Sequence, residues 1–193
     1  LFTRALLSFG IFLAVITPGT AFAARMVSET DWEPRPGDSF YVNTNDNWGY
    51  LLHHDSSEVL AFPVATGIQG TINYLGMRYY AGTPDANWIA KTASTQSDRT
   101  TFGPTGLFLR LFKNGDQYTR YGIHGHAYSQ NWLTLLSRYK SAGCIVTSEQ
   151  ILQIIKTTFD VNGGQLEVTT SKNQDKIMQE MSIRDLREKA LAL

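Results

Sequence analysis

Cysteine is nearly absent: the 193 residues contain one, Cys144. An internal disulfide is therefore excluded, and so is a zinc site built from clustered cysteines. Net charge is absent too, with 17 Lys and Arg against 17 Asp and Glu. A protein built to hold nucleic acid carries a basic excess, so no nucleic-acid partner is expected. Proline is scarce, 6 residues beside 16 glycines, which leaves no collagen-like or low-complexity character. Repeats of solenoid length are lacking. Histidine is limited to His53, His54, His124 and His126. What is present is enough apolar residue, 42% against 18% charged, to build a core and exclude a disordered chain. The length suits one domain.

The one long apolar run lies at the front. Arg4 precedes Ala5 to Ile16, which only Ser8 and Gly10 interrupt. Thr17-Pro18-Gly19-Thr20 and Ala21-Phe22-Ala23-Ala24 follow. A positive start, an apolar stretch and a small-x-small end describe a secretory signal over 1–23, cut after Ala23. A membrane anchor is the rival. The run is short against the ~20 apolar residues a bilayer core needs, and Pro18 and Gly19 break it. No stable membrane insertion is expected after cleavage. A lone thiol exported to an oxidising compartment is a liability unless it is buried or used.

Residues 24–38, with Pro34, Pro36 and Gly37, read as a lead-in or linker. The body is expected over 39–170. Strands are expected at 39–42, 48–52, 58–65, 88–91, 106–112 and 117–123, from aromatic and branched residues bounded by Asn, Asp and Gly. Asn114-Gly115 is a strong hairpin signal between the last two. Residues 92–101 are polar and read as a surface loop. The aromatic, glycine-punctuated stretch 68–88 suits a mobile wall or lid. A short helix or ordered loop is expected over 127–140. Thr147 with Gln150 three residues on matches a capping box, and Ile151, Ile154, Ile155 and Thr158 or Phe159 share one helical face. That helix should end before Gly163-Gly164, and 166–168 should be a last strand. The tail, 171–193, is helical in composition and is expected to pack on the body or to meet a protein partner. The sum is a mostly-β domain with a closed or strongly curved sheet and one or two helices.

Two residues carry candidate chemistry. Cys144 sits in Ser141-Ala142-Gly143-Cys144-Ile145-Val146, just before the helix start. A thiolate there gains from backbone donors and a positive helix end. The N–H groups of Gly143 and Cys144 are candidates for an oxyanion hole. The alternative is an inert buried cysteine. His124 ends a strand in Gly122-Ile123-His124-Gly125-His126. A cysteine nucleophile needs such a base. His53 and His54 fall on an early turn and read as surface residues. His124 and His126 alternate and share a strand face, but no third ligand lies near, so no metal is expected.

The pattern His124-Gly125, then a spacer, then Ser141-x-Gly143-Cys144 resembles the L,D-transpeptidase catalytic domain, the YkuD-type family of bacterial cell-wall enzymes. Val64-Ala65-Thr66-Gly67, Gly82-Thr83-Pro84 and Phe102-Gly103 sit upstream in the order that family shows. Two departures stand out. Ala142 replaces the family's usual histidine, and Val146 its usual polar residue. His126 is a candidate to fill the vacated space.

The resemblance implies a curved β-sandwich or barrel and chemistry on peptidoglycan peptide stems, in the periplasm and without a cofactor. Cys144 would attack the carbonyl of the third stem residue, meso-diaminopimelate. His124 would protonate the departing D-alanine, and the Gly125 carbonyl would orient the imidazole. An amine acceptor would make the enzyme a transpeptidase; water would make it an L,D-carboxypeptidase. Ser141 would shape the cysteine loop. Arg138, Tyr139 and His126 are candidates for substrate binding. The rivals are a wall-binding module without chemistry and a sortase, which would need an arginine soon after the cysteine.

Overall fold

The computed structural model describes residues 24–173 together with Asp175 and Gln179. The expected signal, 1–23, and nearly all of the expected tail, 171–193, lie outside the described residues. The chain opens with β1 (Arg25–Met26), β2 (Ser39–Asn43), β3 (Trp48–Leu52) and β4 (Glu58–Pro63). The short strands β5 (Thr66–Gly67), β6 (Thr71–Tyr74) and β7 (Met77–Tyr80) follow. Next come β8 (Ala86–Thr95), the one-turn helix α1 (Arg99–Phe102), β9 (Leu107–Lys113), β10 (Gln117–His124) and the short helix α2 (Ser129–Leu133). The strands β11 (Tyr139–Ser141) and β12 (Ile145–Val146), the helix α3 (Glu149–Val161) and β13 (Leu166–Ser171) complete the order.

Nine strands form one sheet in the order β1-β4-β3-β2-β13-β8-β9-β10-β12. The architecture is mostly β, a curved half-barrel sheet with a few short helices, as expected. β13 closes it. It runs parallel to β2, with Val168 opposite Phe40, and antiparallel to β8, with Val168 opposite Trp88. Alternation explains its burial: Leu166 and Val168 face the core while Glu167 faces out. β6 and β7 form a separate hairpin, and β5 and β11 a separate parallel pair. Asn114 and Gly115 take positive φ, 51° and 90°, in the β9–β10 turn expected from Asn-Gly.

α3 lays Ile151, Leu152, Ile155 and Phe159 into the core beside Phe40, Phe62, Leu109 and Ile123. Its cap is Ser148, whose Oγ accepts from the Ile151 N–H at 3.2 Å. The expected cap, Thr147, is displaced by one residue because its N–H donates to the His124 carbonyl at 3.1 Å. The helix ends at Val161, before Gly163 and Gly164 as expected, and both glycines take positive φ.

Two other expectations change. Residues 92–95 are not loop: Thr92–Thr95 extend β8 and pair with Arg110 back to Leu107 of β9. Backbone pairing to β9 sets that strand, and its side chains are solvent-exposed, so polar residues are tolerated. His53 is not a surface residue. It is 1% exposed, stacks on Trp32 at 3.8 Å, and donates from Nδ1 to Asp38 Oδ1 at 2.9 Å. The segment 24–38 thus lies against the body, with Arg35 reaching Asp55 and Glu58. His54 is exposed. Among the described residues no helix is long and apolar enough to cross a membrane.

Candidate active site

The site begins with a strand pair. β10 and β12 run parallel, with Ile123 opposite Ile145 and His124 opposite Val146. Ile123 and Ile145 are fully buried in the core. Alternation then turns His124, Val146 and, one residue before β12, Cys144 to the other face. There His124 and Cys144 line one cleft of about 1060 Å³. The β6–β7 hairpin, expected to be a wall, supplies Tyr74, Met77 and Tyr79 to the same cleft.

The loop that presents Cys144 is held by its own carbonyls. Ser141 Oγ donates to the Cys144 carbonyl at 2.6 Å and accepts from the Gly143 N–H at 3.1 Å. Tyr79 donates its hydroxyl to the Ala142 carbonyl at 2.9 Å. Thr83 Oγ1 donates to the Gly143 carbonyl and accepts from the Gly67 N–H, both at 2.9 Å. Gly143 must be glycine twice over. Its φ is +119°, and a Cβ there would meet the Tyr121 ring at 2.4 Å. The network shows why Ser141 and Gly143 accompany the cysteine. It also commits the Gly143 N–H, one of the two expected oxyanion donors, to Ser141.

His124 is 4% exposed. Its Nδ1 donates to the Gly125 carbonyl at 2.5 Å. A carbonyl can only accept, so Nδ1 carries the proton and Nε2 keeps its lone pair. Phe102 and Phe108 flank the ring at 5.1 and 5.9 Å. Burial in these surroundings pulls the imidazole pKa down to about 4, which the bond to Gly125 offsets only in part. Cys144 is half-buried, open to the cleft on one side and crowded on the others. That crowding pushes its thiol up to about 11, against smaller opposing effects of the Gly122 backbone and Arg110. Its Sγ reaches the Arg120 carbonyl at 4.0 Å. At neutral pH the resting pair is therefore a thiol and a neutral imidazole.

The other expected site residues divide. His126 lines the cleft, stacked on Trp132 at 3.9 Å, and its Nδ1 accepts from the Tyr128 N–H at 3.1 Å. Burial lowers its pKa. Arg138 and Tyr139 do not line the cleft. The Arg138 guanidinium donates to the carbonyls of Asp46, Asn47, Val64 and Leu135 and lies over the Trp48 ring at 5.6 Å. The Tyr139 hydroxyl donates to the Asn45 carbonyl at 2.7 Å. Both side chains tie the β2–β3 turn to the approach to β11, so neither is free for substrate.

Basic residues also meet here. Arg78, Arg110, Arg120 and Lys140 line the cleft, and among the described residues no Asp or Glu does. Lys140 directly precedes Ser141 in the sequence, next to the cysteine loop. The available signal was basic residues on the strand ending at His124, but a register shift between Tyr118 and Gly122 obscures which face they take. Among the described residues no group of three His, Cys, Asp or Glu could hold a metal ion.

No protein-family model matches the chain, and no curated protein matches it in sequence. Solved structures do match in fold. Bd1075 of Bdellovibrio bacteriovorus aligns with a TM-score of 0.52 at 12% identity, covering 82% of this chain and 55% of that one. An L,D-transpeptidase from Xylanimonas cellulosilytica gives a TM-score of 0.47 at 16% identity, over 72% of this chain and 63% of its own. The helical cell shape determining protein Pgp2 from Campylobacter jejuni gives 0.49 at 15%, over 83% and 56%. This chain thus spans 55–63% of the length of those chains. At 12% identity the likeness to Bd1075 is one of fold alone.

Proposed function

We propose that the cleft is the acyl-transfer site of a cysteine-dependent enzyme acting on the peptide stems of peptidoglycan, in the periplasm. One observation carries this reading. Cys144 and His124 line the same cleft, and the Gly125 carbonyl fixes His124 with Nε2 as its basic atom. Such a pair suits nucleophilic catalysis, in which the base takes the thiol proton and returns it to the leaving amine. A backbone carbonyl here does the orienting work that a carboxylate does in other triads.

The steps follow from the resting state. Cys144 starts as a thiol, so its proton passes to His124 Nε2 as Sγ bonds to the carbonyl carbon of the third stem residue, meso-diaminopimelate. The C–N bond to the terminal D-alanine then breaks. His124 gives its proton to the departing amine, and a thioester remains on Sγ. The oxyanion donors are the N–H groups of Cys144 and Gly143, the latter after it exchanges away from Ser141. An amine from a neighbouring stem releases the acyl group as a new cross-link, which makes the enzyme an L,D-transpeptidase.

A second acceptor has its own support. The cleft carries four cations and no acidic side chain among the described residues, which disfavours a protonated amine and leaves water as acceptor. The same site is then an L,D-carboxypeptidase. The test is product analysis by mass spectrometry with a disaccharide-tetrapeptide, beside Cys144→Ala and His124→Ala. A cross-linked dimer marks the transferase, and a tripeptide with free D-alanine marks the hydrolase. Either product must vanish in both variants. A wild type that yields neither refutes the reading.

A further inference from the structure

We infer that Arg78 and Arg120 form a clamp for a free carboxylate on the substrate, and so restrict the enzyme to stems that end in an acid. This rests on the acyl-transfer reading of the cleft and adds its specificity. The four cleft cations are not equivalent. Arg110 is spoken for: it donates to the Thr119 carbonyl at 2.8 Å and lies 4.9 Å from both the Phe108 and Tyr118 rings. Arg120 is exposed, and its contact at Nη1 is the Met77 sulfur at 3.7 Å. A thioether is a weak acceptor. Arg78 is exposed on β7, opposite Asn73 of β6. Among the described residues neither arginine makes an ion pair, although Arg25, Arg35 and Lys156 do.

Position makes the two arginines relevant to chemistry. The Arg120 carbonyl is the group that faces the Cys144 thiol. Arg78 stands next to Tyr79, whose hydroxyl holds the Ala142 carbonyl of the cysteine loop. One guanidinium thus comes from β10 and the other from the hairpin, and both arginines line the cleft that holds Cys144. Guanidinium forks match carboxylates in two-point geometry. Aromatic walls and the lack of any acid among the described lining residues focus that positive field. A stem whose terminal carboxylate has been converted to an amide loses the matching charge.

The test pairs binding with turnover. Cys144→Ala protein is titrated calorimetrically with a tetrapeptide stem as free acid and as C-terminal carboxamide. Wild-type turnover is followed on the same two stems. The acid is expected to bind about tenfold more tightly or better, with the margin shrinking as salt rises. Adding Arg78→Gln and Arg120→Gln should bring the acid down to the affinity of the amide. Both side chains are exposed, so thermal unfolding should be unchanged, and this is measured alongside. Equal affinities for acid and amide, or a double variant that weakens both alike, overturns the clamp. Turnover with no acid preference also overturns the clamp while sparing the acyl-transfer reading. Acid-selective binding without turnover of either stem sinks the acyl-transfer reading and sustains the clamp. Neither binding nor turnover sinks both.

Discussion

Two buried histidines sit in this molecule, and they have opposite surroundings. His53 is 1% exposed and His124 is 4% exposed. His53 Nδ1 donates to a carboxylate, Asp38, and its ring lies flat on Trp32 inside the joint between the lead-in and the body. His124 Nδ1 donates to a peptide carbonyl, and its ring borders a cleft with a thiol on the same wall. The lesson is that burial alone does not mark a working histidine. A neutral orienting partner leaves burial to dominate, so the His124 ring is kept neutral, with Nε2 unprotonated. A full carboxylate in a sealed joint makes a fastening.

Mutation should separate the two roles most sharply. Cys144→Ala and His124→Ala should each cut turnover by roughly a thousandfold or more while the protein stays folded. His53→Ala should do the reverse. It removes the partner of Asp38 Oδ1 in the interior, leaving only the Arg35 N–H on Oδ2 among the described residues, and should cost about 3 kcal/mol of stability, seen as a lowered denaturation midpoint, with kcat within about twofold of wild type. A His53→Ala enzyme that is stable but inactive would break the comparison.

Acid should expose His124 next. Its folded pKa of about 4 lies below the ordinary 6.5. Between those values the unfolded chain binds a proton that the folded one refuses, so stability falls as pH drops through that window and levels off near 4. The loss is roughly 3 kcal/mol. Denaturant unfolding of wild type and His124→Gln across pH 4 to 6.5 checks this, and the variant should show a flatter dependence. The acid limb of kcat/KM for the free enzyme should fall near pH 4 as well. Alkylation of Cys144 by iodoacetamide should stay slow at neutral pH and rise toward a thiol pKa of about 11.

A smaller effect should come from Ser141→Ala. It deletes the bond to the Cys144 carbonyl and the acceptor of the Gly143 N–H. About tenfold in kcat and 1–2 kcal/mol in stability are expected, with KM little changed. A loss confined to KM would show that Ser141 meets the substrate rather than the loop.

Much of this was readable along the chain. The Asn114-Gly115 turn, the apolar stripe of α3 and the strand ending at His124 all follow from local pattern. So does the choice of His124 over His53 and His54, since glycines flank only the first. What failed did so through distant contacts. Arg138 looked like a ligand-facing cation beside Ser141, but carbonyls about 90 residues earlier in sequence saturate it. His53 looked exposed because the segment that covers it, around Trp32, read as a linker. Residues 92–95 looked like loop because their strand is set by β9 rather than by apolar alternation. The Arg78–Arg120 pair was invisible because one arginine comes from the hairpin and the other from β10.

The central claim is that Cys144, served by His124, forms a thioester with a peptidoglycan stem. Intact-protein mass spectrometry after rapid acid quench, with a disaccharide-tetrapeptide as donor, tests it most directly. The account predicts a transient gain equal to the stem minus D-alanine, mapped to Cys144, present in wild type and absent in Cys144→Ala. D-alanine released without any adduct on Cys144, or full activity in Cys144→Ala, would contradict it.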